Sequence, residues 1–245
     1  QLFLPYCSGD VWVGQENEGN QWGVYFNGHN IIASVLEALA DSLATVRDMP
    51  ISVQASTVVF SGESAGGIGC VANLDFVASQ LPTSHVLGAP IAGFYFYAGQ
   101  PYDGPGVIPY IRTSSLSVSL LVRTGWPDGS ILAQSSQYAN TPWLCALANN
   151  SFPYIKTPMF VTEAQTDCVV LSLHDGVPPQ SKLPPSAPIA DYATLWWANM
   201  STALEQVRAS PTTGLFNAAC WLHTGFDPSA PLIQGYSWIA TFGHW

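Results

Sequence analysis

The sequence predicts an α/β fold: a mostly parallel sheet with helices on both faces, stacked as a three-layer sandwich in one domain over residues 1–245. Three observations carry this. Short β-branched runs alternate with stretches of helical spacing, which implies parallel strands joined by crossover helices. Apolar residues make up 48% of the chain, enough for a large core. No internal repeat or charge run divides it, and its Pro-rich stretches lie between segments of one continuing pattern.

The elements follow in order. Residues 30–46 set Ile31, Ile32, Val35, Leu36, Leu39, Leu43 and Val46 near one helical face, with Asn30 as the expected cap. Residues 56–60, Ser-Thr-Val-Val-Phe, suit a buried parallel strand. Residues 65–80 read as a helix, 91–97 and 158–163 as strands, and 191–209 as a helix that ends before Pro211. Residues 176–190 contain five prolines and read as an extended loop, with a second Pro/Gly loop at 101–109.

Charge narrows the function. Only 9% of residues are charged, and the net charge is −10 with six basic residues. Nucleic acid and anionic membrane surfaces both require Lys and Arg, so neither is an expected partner. No apolar run is long enough for a membrane span. The chain opens at Gln1 without Met and carries sequons at Asn149 and Asn199, which together read as a mature, secreted glycoprotein. Cys7, Cys70, Cys145, Cys168 and Cys220 form no C-x-x-C pair, so no zinc site is expected, and no cofactor. The odd count leaves one thiol over.

Gly62-Glu63-Ser64-Ala65-Gly66 fits G-x-S-x-G, with a β-branched run before it and an apolar-periodic helix after it. A serine on such a turn projects its hydroxyl from the sheet edge, and the Ala65 amide points where an oxyanion forms. This is the nucleophile turn of an α/β-hydrolase, whose partners follow in the order acid, then histidine. Asp167, just past the 158–163 strand, is the favoured acid; Glu163, Asp175, Asp191 and Asp227 are rivals. His223, near the chain end, is the favoured base over His85, His174 and His244.

The residues resemble the pectin acetylesterase family, which also takes in the Notum carboxylesterases. The resemblance rests on Pro-Tyr-Cys-Ser-Gly-Asp-Val-Trp-Val-Gly (5–14), Phe-Asn-Gly-His-Asn-Ile-Ile (26–32), Ser-Gly-Glu-Ser-Ala-Gly-Gly-Ile-Gly (61–69), Asn-Ala-Ala-Cys-Trp-Leu-His-Thr (217–224) and Pro-Leu-Ile-Gln-Gly-Tyr-Ser with Trp245. These blocks occur in family order along nearly the whole chain. The resemblance implies a serine esterase with Ser64, Asp167 and His223 as its triad. Nothing matches the family's Gly-Gly-Trp-Cys type segment, which supplies further oxyanion donors. The expectation is therefore a cleaved precursor whose separate N-terminal chain completes the domain, with Cys7 as the thiol that could bridge to it.

The expected substrate is a small acetyl or other short acyl ester, carried on a carbohydrate such as pectin. Phe94, its neighbours through Tyr97, Trp126, Trp143 and Trp221 are candidate walls of the site. An acidic chain repels a polyanion unless a local basic strip exists. The alternatives are a carbohydrate-binding or defence protein that kept the fold and lost catalysis, and an idle subunit of a larger assembly.

Overall fold

The computed structural model describes residues 1–15, 23–40, 45–46, 49–50, 55–96, 99–108, 142–180, 184–226 and 231–245. Its centre is a four-stranded, wholly parallel sheet of β1 (Thr57–Glu63), β2 (His85–Ile91), β3 (Phe160–Thr166) and β4 (Gly214–Trp221), in the spatial order β1-β2-β3-β4. Glu63 stands opposite Ile91, Ile91 opposite Thr162, and Thr166 opposite Trp221. The strands therefore deliver their C-terminal ends to one rim, where open α/β sheets bind ligands.

Helices cover both faces. The α-helices of five residues or more among the described residues are α1 (Gly28–Ala40), α2 (Ala65–Gln80), α3 (Cys168–Leu173), α4 (Ala187–Ala203), α5 (Glu205–Ala209) and α6 (Trp238–His244). Neighbouring residues of one strand divide between two apolar clusters, as the period of two demands. Val161 of β3 packs with Leu74 of α2 and Trp196 and Met200 of α4. Phe160 faces the other way, into Phe216, Ala218 and the α6 residues Trp238 and Phe242. The three-layer architecture stands as the sequence predicts.

Several element boundaries differ. The strand expected at 91–97 lies at His85–Ile91 instead. After Ile91 the chain turns sharply, because Ala92 adopts φ 50° and Gly93 is pressed against Gly67. Gly88 and Pro90 sit inside β2. Gly88 is needed there, since a Cβ would lie 2.5 Å from the Leu74 side chain. The first helix runs Gly28–Ala40, so Asn30 lies within it and is no cap; Thr45–Val46 is not helical but a short strand paired with Met49–Pro50, and residues 41–44 fall outside the described residues. The helix expected at 191–209 begins at Ala187, where Pro188 fits the first turn, and is divided at Leu204 into α4 and α5.

The 5–14 block forms a loop docked on α2. Asp10, fully buried, accepts hydrogen bonds from the amides of Trp12 (3.0 Å), Gly14 (3.0 Å) and Gly28 (2.7 Å), and from the Ser8 hydroxyl. Val11 and Trp12 take positive φ (49° and 67°), a strained shape held by this carboxylate. Asn73 of α2 donates to the Trp12 carbonyl (2.9 Å), and its own oxygen pairs with His29 Nδ1 at 2.6 Å. Burial lowers the His29 pKa, so its neutral form is favoured in this network.

Candidate active site

Ser64 occupies the turn between β1 and α2 with φ 55° and ψ −117°, a conformation that costs a non-glycine residue energy. Its surroundings hold it there. The Ser64 amide donates to the Ile91 carbonyl (2.9 Å), and its carbonyl receives the Ile68 amide (3.0 Å). The neighbouring glycines allow the close approach: a Cβ on Gly62 would lie 2.3 Å from the Gly66 carbonyl oxygen. Ala65 opens α2, where backbone amides have no intrahelical partner and the helix dipole favours negative charge.

Asp167 begins α3, one residue past β3. Its Oδ1 caps that helix by accepting from the Val169 and Val170 amides, both at 2.9 Å. Its Oδ2 meets His223 Nδ1 at 2.6 Å. The pair is shielded, with side-chain exposures of 1% for Asp167 and 12% for His223. With Nδ1 engaged, His223 Nε2 is buried and has no hydrogen-bond partner among the described residues, so the Ser64 hydroxyl is not bonded to it. The structure thus brings Asp167 and His223 together and sets Ser64 on the same rim without a direct bond to the imidazole.

A small cavity beside them is lined by Phe94, Tyr95, Glu163, Asp167, Trp196 and Met200, among others. Burial, reinforced by the Asp167 and Glu163 carboxylates, raises the Tyr95 pKa; hydrogen bonding with Ser64 partly offsets the rise. Glu163 is pushed up to about 8 by burial and by Asp167, while amides of Phe94 and Gly93 pull it back. Phe94 itself is buried against Phe152, ring centroids 6.0 Å apart. An open groove of about 340 Å³ adjoins this region, lined by Thr166, Thr194, Trp197, Cys220 and Trp221 among others.

The rivals separate by position. His85 is exposed at the start of β2, on the rim opposite Ser64, and His244 is exposed in α6. His174 lies near, its ring edge-to-face with Tyr95 at 5.7 Å. Burial lowers its pKa, and Asp167 opposes that shift. Glu163 points into the cavity and bonds to backbone rather than to a histidine. Asp175 is raised to about 7 by burial, and Asp191 is exposed on α4. Asp227, Trp126 and the Trp143 side chain lie outside the described residues. Among the sequon residues, Asn149 has a buried carboxamide oxygen and Asn199 is half-buried on α4. All five cysteines are free thiols.

Tyr95, expected only as one of several wall residues, stands next to Ser64, and Glu163, expected only as a rival acid, is the partner of the 93–94 backbone. Their juxtaposition depends on the Ala92 turn, which no residue type announces.

A family model for pectinacetylesterase matches residues 1–245. The palmitoleoyl-protein carboxylesterase notum1' of Xenopus laevis is 27% identical over 170 residues, covering 66% of this chain and 33% of its own length. The palmitoleoyl-protein carboxylesterase NOTUM of Homo sapiens is 28% identical over 171 residues, covering 66% and 32%. The chain thus spans about a third of the length of the curated relatives it matches. The crystal structure of the Wnt deacylase Notum from Drosophila superposes with a TM-score of 0.76 at 23% identity, covering 99% of this chain and 66% of that one. That likeness carries the fold, which is α/β-hydrolase-like. With the family model spanning the whole sequence, the chain belongs to the pectinacetylesterase family.

Proposed function

We propose that this chain is a secreted serine esterase that hydrolyses short O-acyl, chiefly O-acetyl, esters on a carbohydrate such as pectin, through Ser64, His223 and Asp167. One observation carries the reading. A largely buried imidazole is fixed by a carboxylate at 2.6 Å, its other nitrogen has no partner among the described residues, and a strained serine stands on the same rim. Catalytic hydrogen bonds that are long in a free enzyme tighten when substrate arrives.

His223 Nε2 takes the proton as Ser64 Oγ attacks the ester carbonyl carbon. The Ala65 amide faces the oxygen that becomes negative. The tetrahedral intermediate collapses, His223 hands the proton to the departing alcohol, and Ser64 keeps the acyl group. Water, activated by His223, repeats the sequence and releases the acid. Asp167 holds the tautomer and stabilises the imidazolium throughout. Of the candidate walls, Trp221 lines the adjoining groove, where a sugar ring could stack. The sequons at Asn149 and Asn199 support secretion.

A second chain from the same precursor completes the oxyanion site in this reading. Among the described residues β1 pairs with β2 alone, and its Val59 is 47% exposed, which supports it. Electrophoresis of native material with N-terminal sequencing of each band checks this; a single species refutes it.

Hydrolysis of p-nitrophenyl acetate tests the chemistry. It should disappear in Ser64→Ala and in His223→Ala. Turnover that survives Ser64→Ala contradicts the reading, and carbohydrate binding without any turnover favours a binding or defence protein instead.

A further inference from the structure

We propose that Glu163 is a positioning residue of this site: its buried carboxyl clasps the 93–94 backbone and thereby sets the cavity wall against Ser64. This rests on the esterase reading above. Glu163 belongs to β3, four residues before Asp167, yet it takes no part in the Asp167–His223 pair. It is 2% exposed, and its Oε1 accepts the Phe94 amide at 2.5 Å.

The backbone it clasps is under stress and at close quarters. Ala92, fully buried, takes φ 50°, and its amide is tied to the Thr162 carbonyl at 2.8 Å. A Cβ on Gly93 would stand 2.2 Å from the Gly67 backbone, so this loop lies flat against the first turn of α2. Ile91, immediately before Ala92, receives the Ser64 amide. The same few residues therefore carry Tyr95 and Phe94 on one side and buttress Ser64 on the other. A strained turn persists only where its surroundings over-determine it, and the Glu163 oxygen is the one side-chain acceptor seen on it among the described residues. The role requires an acceptor at the end of a three-bond reach. It does not require charge, and the neighbouring Asp167 carboxylate disfavours charge there.

Two variants separate reach from charge. Glu163→Gln keeps the acceptor at the same distance; Glu163→Asp keeps the acid but withdraws it by one methylene, about 1.5 Å. Steady-state hydrolysis of p-nitrophenyl acetate should give kcat/KM for Glu163→Gln within about twofold of the wild type, and for Glu163→Asp about tenfold lower. Rescue by the uncharged isostere is the signature of positioning. The proposal is overturned if Glu163→Asp matches the wild type, or if Glu163→Gln loses as much as Glu163→Asp. Ser64→Ala in the same series keeps the two claims apart: activity surviving there defeats the esterase reading, whereas a dead Ser64→Ala beside an unaffected Glu163→Asp defeats only the clasp.

Discussion

His223 Nδ1 and Asp167 Oδ2 meet at 2.6 Å across 56 residues of sequence, and the other Asp167 oxygen caps α3. One carboxylate thus serves an imidazole and a helix end, and substitutions can divide the two duties. Asp167→Asn keeps a good cap but presents an amide to His223, so the wrong tautomer is held. We expect kcat to fall by about 10³–10⁴ with little change in thermal stability. Asp167→Ala should lose similar activity and a further ~1 kcal/mol of stability. Parallel kinetics and thermal melts check both.

Ser64 stores strain, and releasing it should be visible without any substrate. At φ 55° and ψ −117°, glycine is at ease where alanine is not. Ser64→Gly should be about 1 kcal/mol more stable than Ser64→Ala, and both should be inactive. Urea denaturation of the two variants measures the difference.

Glu163 gives stability a pH dependence of definite sign. Burial and Asp167 raise its pKa from an ordinary 4.5 to about 8 in the folded protein. Between those values the native state holds a proton that the unfolded chain has released, so stability falls as pH rises through that window and levels off above it. Asp175, raised to about 7, acts in the same sense. Glu163→Gln should therefore make the decline shallower without abolishing it. Denaturation midpoints between about pH 5 and about pH 9 provide the readout.

Asp10 anchors the 5–14 loop through three amides and the Ser8 hydroxyl. Asp10→Ala strands those donors in a buried place and should cost about 3 kcal/mol or more. Asp10→Asn keeps acceptors for some of them and should cost less. Chemical denaturation compares the two.

Much of this was legible before any coordinates. The β-branched run, the glycine-flanked serine and the following helix occupy β1, Ser64 and α2 because local periodicity decides such elements. Chain order put Asp167 and His223 among several candidates, each just beyond a strand that ends at the same rim, and the family resemblance singled them out. The second strand, expected at 91–97, lies at 85–91 with Gly88 and Pro90 inside it. Only the approach of Leu74 from α2 explains the glycine. The Ala92 turn was invisible for a related reason: alanine at positive φ is imposed by tertiary contacts, and the Glu163 and Tyr95 geometry depends on it.

The most direct measurement is labelling of the native protein with a fluorophosphonate, followed by sequencing of the tagged peptide. A single adduct on Ser64, lost in His223→Ala, is the predicted result. An adduct on any other residue, or none under conditions that label a known serine esterase, would contradict the account.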